Sequence, residues 1–345
     1  MDDILVYGAN GFTAQLVIAE LVNKGLRPTL AGRSKKIIKI AQNYGLNYKI
    51  FEIWNKQNTI QNIDGHKLLI NLAGPYHDTF APILEACLAT HTHYIDAEGD
   101  VHMLQEMYRY HEKTVKAEIM LLPGVGFAIA PTDILGYMLT HKIEHGVQLK
   151  YAIHAGIKAS KGTIKSFLHS LQTPGLTRAD KNMITSLPAA KKMDMQVLDK
   201  KFKTYLHPWR GDSFASWLSC GVPDIETYST FPAWVVLLLK NYPLSVAIGK
   251  WKIAKKIITA QGMQNISEAD TTTQCYLSAT LTSKSGENYT LKMIGPEPYL
   301  FTSKLISNAA QKVLDGKYKI GYQTPATAYG ATLIDNIEGV KLIFE

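Results

Sequence analysis

The stretch Gly8-Ala9-Asn10-Gly11-Phe12-Thr13-Ala14 places two glycines and a third small residue at the spacing used by dinucleotide-binding turns. Glycine tolerates φ > 0 and lets backbone N–H groups approach a pyrophosphate, and a following helix N-terminus adds partial positive charge. Gly8, Asn10, Gly11, Phe12 and Thr13 are therefore the candidate phosphate-binding residues, with a ligand-free structural turn as the alternative. Choice of nicotinamide cofactor follows from Ala31-Gly32-Arg33-Ser34-Lys35-Lys36. Folds that prefer NAD put a carboxylate at this place for the ribose 2′-OH, and none is present. The Arg33 guanidinium suits a 2′-phosphate and the adenine face, and Ser34 adds a hydroxyl donor, which points to NADP. A solvated basic helix start is the plainer reading of the same residues.

Further along, Asn71-Leu72-Ala73-Gly74-Pro75 closes an apolar run. Ligands of parallel sheets bind at the carboxyl ends of strands, so Asn71, Ala73, Gly74 and Pro75 are expected beside the cofactor ribose. Tyr76 follows directly, and its phenol can donate a proton or hydrogen-bond a substrate carbonyl. Packing under the nicotinamide is its alternative role. Asp96 can hold a ribose hydroxyl, orient a water or cap a turn. Tyr76 and Asp96 are the catalytic candidates. His91-Thr92-His93, with Asp96 and His102 nearby, invites a metal reading, but nothing else completes a ligand set, surface turn residues are the plainer reading, and no metal is expected. Asp133, at a helix start, is explained by the helix dipole.

The elements that must position these residues alternate regularly. Strands are predicted at Ile4–Tyr7, Pro28–Ala31, Tyr48–Trp54, Lys67–Leu72, His93–Asp96 and Ile119–Leu122. Helices are predicted at Thr13–Lys24, Lys35–Tyr44, Pro82–Thr90 and Val101–Ala117. Repeated strand–helix units imply a doubly wound parallel sheet, a Rossmann α/β arrangement, over residues 1–130. Gln148–His154 and Cys275–Thr282 instead alternate apolar and polar residues, and Ser283-Lys284-Ser285-Gly286 makes the latter a hairpin with Tyr289–Ile294. A second, sheet-containing domain is expected at 131–300. Helices at Ser303–Leu314 and Ala326–Ile337 complete a C-terminal segment, 301–345, packing back toward the first domain.

At 345 residues the chain is long enough for two domains, and 46% hydrophobic with 19% charged residues is an ordinary globular balance. The net charge of +8 is spread over many segments without a nucleic-acid-binding motif, so nucleic acid is not an expected partner. Three separated cysteines fit a reducing compartment. The opening Met1-Asp2-Asp3 runs straight into a strand without a signal peptide, and a cytoplasmic location is expected.

Several separated stretches resemble the saccharopine dehydrogenase-like oxidoreductases, including their trans-acting enoyl reductase branch. They include Tyr7–Thr13, Leu30–Ser34, Asn71–Tyr76, His93-Tyr94-Ile95-Asp96, Pro131-Thr132-Asp133, Lys161-Gly162-Thr163, Ser219–Pro223, Gly295-Pro296, Tyr299 and Thr324-Pro325-Ala326. The resemblance implies an NADP-binding Rossmann domain and a second α/β domain with an open, largely antiparallel sheet that contributes to substrate binding and any homodimer contact. It implies an NADP-dependent oxidoreductase reducing an enoyl, imine or carbonyl group of a small or lipid-like substrate. One departure is Phe127-Ala128, where the family commonly has Phe-Asp. A non-catalytic dinucleotide sensor and a membrane-surface protein are the competing functions. The latter draws on Phe231–Leu239, an apolar run interrupted by Lys240, Asn241 and Pro243 and followed by a basic amphipathic stretch to Ile258. It is too broken to span a bilayer. It is expected either as core helices of the second domain or as a lipid-facing substrate entrance in which Trp234, Leu237 and Leu238 touch an acyl chain.

Overall fold

The computed structural model describes residues 3–156, 161–250 and 273–345. The first sheet has seven strands in the order β15-β6-β5-β4-β1-β2-β3. Its members are β1 (Ile4–Tyr7), β2 (Thr29–Gly32), β3 (Tyr48–Ile50), β4 (Leu68–Asn71), β5 (His93–Asp96), β6 (Met120–Leu122) and β15 (Gly321–Tyr322), and every pairing is parallel. Strands β1, β2, β4 and β5 are buried along their whole length, as continuous apolar runs between two helix layers must be. Strand order reverses between β1 and β4, and a doubly wound sheet opens its ligand crevice at that point.

Helices α1 (Phe12–Asn23), α2 (Lys36–Tyr44), α3 (Lys56–Ile63), α4 (Tyr76–Thr90), α5 (Val101–Tyr108) and α6 (His111–Lys116) connect the strands. The expected strand Tyr48–Trp54 stops at Ile50, and α3 begins six residues later where Asn55 caps it by accepting from the Asn58 N–H at 3.0 Å. The single long helix expected over Val101–Ala117 is two. Arg109 and Tyr110 donate to carbonyls three residues back, which ends α5 in a tight turn.

The second sheet runs β10 (Lys192–Val197), β11 (Lys200–Leu206), β12, β7, β13, β14, β16, with β8 (Leu176–Ala179) paired to β12 and β9 (Asn182–Thr185) paired to β8. Its central pair, β7 (Gly146–His154) and β12 (Asp224–Ser229), is parallel, and the other pairs are antiparallel. Strands β13 (Cys275–Ser283) and β14 (Asn288–Gly295) form the expected hairpin. Helix α7 (Ala130–Lys142) precedes these strands, and α8 (Lys161–Ser170), α9 (Asp212–Cys220), α10 (Ala233–Lys240) and α11 (Tyr242–Lys250) lie between them in the chain.

Two compact units result. One comprises Met1–Gly99, Met103–Ala130 and Tyr299–Asp335, the other Asp100–His102, Pro131–Pro298 and Asn336–Glu345. The long helix Pro298–Leu314 and strand β15 thus return to the first unit, while the last stretch ends as β16 (Lys341–Phe344) on the edge of the second sheet. The expected helix Ala326–Ile337 is a short one, Pro325–Tyr329, followed by a 3₁₀ turn, Gly330–Leu333.

Candidate functional site

Strand β1 ends at Tyr7, and the chain turns through Gly8 at φ +85° toward α1. A Cβ on Gly8 would lie 2.7 Å from the Leu72 and Ala73 backbone. Glycine here serves a left-handed backbone and a backbone-to-backbone contact with the end of β4. The N–H groups of Gly8 and Ala9 both donate to the Ala31 carbonyl, at 2.9 and 3.1 Å, and the Gly11 N–H donates to the Gly8 carbonyl at 2.9 Å. Gly11 is the N-cap of α1 and has no side chain that could accept from the first helical N–H groups. Those of Phe12, Thr13 and Ala14 therefore offer a donor cluster at the positive end of a twelve-residue helix. A Cβ on Gly11 would sit 3.3 Å from the Gly8 carbonyl oxygen and 3.8 Å from that of Leu72. This small, uncapped opening fits a pyrophosphate. Asn10 is exposed, and Thr13 is half-buried. Phe12 packs edge-on against Tyr299, with ring centroids 5.2 Å apart at 83°.

Arg33 is exposed one residue beyond β2, and Ser34 is half-buried beside it. The Ser34 hydroxyl accepts from the Lys36 N–H at 3.3 Å, which opens α2. Burial pushes the Tyr7 phenol up to about 12, against the downward pull of the Arg33 guanidinium. Glu52 raises it as well. The Glu52 carboxyl thus acts on Tyr7 from the segment after β3. Sequence inspection of the β2 end could not reveal it.

Beyond β4, the turn Ala73-Gly74-Pro75 is tied to buried side chains. The Ala73 N–H donates to Asn71 Oδ1 at 3.1 Å, and the Thr79 hydroxyl donates to the Ala73 carbonyl at 2.7 Å. Asn71 Nδ2 donates to Tyr94 Oη at 3.0 Å and to Thr79 Oγ1 at 3.3 Å. The Tyr94 hydroxyl donates to Asp96 Oδ2 at 2.8 Å, and Asp96 Oδ1 accepts from the N–H groups of Glu98 and Gly124 at 2.9 and 3.1 Å. Asn71, Tyr94 and Asp96 are 0% exposed, so they reach the site only through this chain of bonds. Gly74 and Pro75 are exposed, and a Cβ on Gly74 would meet nothing within 4 Å. Asn71, Ala73, Gly74 and Pro75 therefore act as one unit, an anchored residue presenting an open turn.

The two catalytic candidates stand differently. Burial raises the Asp96 carboxyl to about 6, although the Glu98 N–H, the Tyr94 hydroxyl and the Gly124 N–H each pull it down. With both oxygens engaged and no exposed surface, Asp96 clamps the ends of β5 and β6 in this structure. Tyr76 is the first residue of α4 and half-buried. Burial pushes its phenol well above the usual range, the Asp96 and Glu98 carboxyls add to that, and the Ala97 N–H opposes it. A phenol so placed stays protonated and serves as a hydrogen-bond donor. Tyr94 and Thr79 were missed in the sequence. The only signal for Tyr94 was a phenol on the short strand His93–Asp96. At the Phe127-Ala128 departure, the Phe127 N–H donates to Thr302 Oγ1 at 3.0 Å, and Ala128 lies against Gly99, where an added Cβ would come within 2.6 Å of its own.

The family model of the saccharopine dehydrogenase NADP binding domain matches residues 4–122. This is the stretch that carries the glycine turn, Arg33 and the Asn71–Asp96 network, and NADP is the cofactor of this domain. A saccharopine dehydrogenase-like oxidoreductase of Mus musculus is 28% identical over 203 residues, covering 51% of this chain and 47% of that protein. A Mycobacterium tuberculosis protein named as a trans-acting enoyl reductase is 27% identical over 186 residues, covering 50% of this chain and 44% of its own length. The matched stretches span less than half of these relatives. Apo histidine-tagged saccharopine dehydrogenase (L-Glu forming) from Saccharomyces cerevisiae superposes with a TM-score of 0.70 over 99% of both chains at 12% identity, a likeness of fold. The chain resembles the saccharopine dehydrogenase-like oxidoreductases over its first domain in sequence and over its full length in fold.

Proposed function

We propose that this protein is an NADP(H)-dependent oxidoreductase that reduces an enoyl, imine or carbonyl group of a small or lipid-like substrate. The observation that carries the reading is the uncapped, glycine-lined N-terminus of α1, whose turn is bonded to Ala31 near the β2 end that leads into Arg33, inside a domain matched by an NADP-binding family model. The bound cofactor would supply the hydride equivalent. Gly8, Asn10, Gly11, Phe12 and Thr13 would hold the pyrophosphate, Arg33 and Ser34 the 2′-phosphate. Asn71, Ala73, Gly74 and Pro75 would set the position of the nicotinamide ribose. Tyr76, kept protonated by its surroundings, would donate a hydrogen bond or a proton to the reduced group. Asp96 has no free face and would act by holding the β5 and β6 ends in register. Stopped-flow oxidation of bound NADPH against enones, imines and aldehydes tests the assignment, and substrate-dependent oxidation is the expected result.

The lipid-like substrate class is favoured by α10 and α11. Their exposed side chains include Trp234 at 61%, Leu237 at 73% and Leu244 at 49%. Between residues 231 and 250 the only charged residues are Lys240 and Lys250. An outward apolar face flanked by cations suits an acyl chain or an anionic lipid surface. No helix among the described residues is long and apolar enough to cross a membrane. A non-catalytic dinucleotide sensor is the second reading, favoured by Ala128 where a carboxylate is common. Tight NADPH binding without oxidation by any acceptor would establish that reading instead.

A further inference from the structure

The bonds around Asn71 run in one direction. Each donor points toward Asp96: Ala73 N–H to Asn71, Asn71 to Tyr94, Tyr94 to Asp96. Every member of this row except Ala73 is fully buried, so none can exchange its partner for water. The row begins at the turn that fronts the proposed nicotinamide site and ends on the neighbouring strand β5, at a carboxylate that also accepts from the Gly124 N–H beyond β6.

We propose that Tyr94 is a positioning residue: its hydroxyl ties the Ala73–Pro75 turn to the Asp96 carboxylate, so that disabling either group releases the turn and weakens dinucleotide binding. The inference rests on the reading of this domain as the NADP site. Chemistry supports the direction. An ionised Asp96 accepts three hydrogen bonds and donates none. A protonated one must donate, and its Oδ2 then competes with the Tyr94 hydroxyl, whose oxygen already accepts from Asn71. Protonation therefore breaks the row at its acidic end. The groups facing Asp96 are Tyr94 on β5, Tyr76 on α4 and the backbone of Glu98 and Gly124. None of these is a cation, and burial lifts the Asp96 carboxyl to about 6, within an accessible pH range. Tyr94 pulls that value down, so removing its hydroxyl should move the transition upward.

The test is calorimetric titration of NADP+ into the full chain from pH 5 to 8, for wild type, Tyr94→Phe and Asp96→Asn. The cofactor's own 2′-phosphate titrates near ~6. The informative quantity is therefore the ratio of wild-type to Asp96→Asn affinity, in which that dependence cancels. At pH 8 Tyr94→Phe should bind about tenfold more weakly, the usual cost of one buried bond to a charged group. The wild-type advantage over Asp96→Asn should shrink toward one as pH falls to 5, and the same ratio for Tyr94→Phe should collapse at a higher pH. Variants that match wild type at pH 8, or a ratio flat with pH, would overturn the inference. If Tyr94→Phe does not fold, as judged by near-UV circular dichroism, the wild-type to Asp96→Asn ratio decides by itself. A wild-type protein that binds neither NADP+ nor NAD+ would instead remove the proposed function.

Discussion

Gly8 and Gly11 look equivalent in the sequence and are unequal in the structure. Gly8 combines φ +85° with a backbone contact that a Cβ would bring to 2.7 Å, whereas Gly11 has φ −71° and one neighbour at 3.3 Å. Gly8→Val should therefore destabilise the first unit by roughly 3 kcal/mol. Gly11→Val should fold nearly as well as wild type and lose NADPH binding, because its side chain would occupy the mouth of the helix N-terminus. Thermal unfolding read alongside NADPH titration separates the two, and micromolar affinity retained in Gly11→Val would place the phosphates elsewhere. Arg33 belongs to the same scale. Its exposure leaves the guanidinium available, and Arg33→Ala should weaken NADPH at least tenfold, about 1.4 kcal/mol, with NADH nearly unchanged. Equal losses for both cofactors in titration calorimetry would defeat the assignment.

At the scale of the element, α10 divides its residues cleanly. Val235, Val236 and Leu239 are buried and pack with Trp209, Leu168 and Leu171, while Trp234 and Leu237 face outward. Leu238 is half-buried and stands between the two faces. One side of this helix is thus core, and the other presents apolar side chains outward. Trp251, Lys252, Lys255, Lys256 and their apolar neighbours to Ile258 lie outside the described residues. Leu239→Ala should cost about 2–5 kcal/mol. Trp234→Ser with Leu237→Ser should leave the unfolding temperature within a few degrees and reduce binding to phosphatidylserine vesicles. Unchanged vesicle binding together with unchanged turnover of long acyl acceptors would leave that face without a role in lipid contact.

For the whole molecule, acid sensitivity follows from buried histidines. Burial lowers His207 to about 3 and His93 to about 4, and it lowers His154 too, all from the usual 6.5. A group held below its unfolded value contributes stability that is present above 6.5 and lost as pH falls toward the folded value. Asp96 is raised from 3.8 to about 6 and works the other way, its contribution being lost as pH rises through that window. Near pH 5, His93 and His207 each take up close to one proton on unfolding and Asp96 releases close to one. The net uptake is about one proton, so stability should fall by roughly 1.4 kcal/mol for each pH unit of acidification. Denaturant midpoints at pH 5, 6 and 7 check the sign. Replacing His207 by Gln should flatten the slope.

The sequence by itself determined the parallel strands, the glycine turn and the cationic β2 end, because these depend on neighbours a few residues apart. An apolar run of four residues closed by glycine is a buried strand wherever it folds, and a helix start without a capping side chain is readable from Gly11. Long-range partners were not readable in this way. The strand Gly321–Tyr322 is only two residues long, and it exists because β6 offers an unpaired edge. Asp96 reads as an available carboxylate until Tyr94, Glu98 and Gly124 close around it, and the Glu52 carboxyl comes to act on the Tyr7 phenol from the segment after β3. Whether a polar group acts or merely holds depends on who satisfies it, and those partners come from strands that only tertiary packing brings side by side.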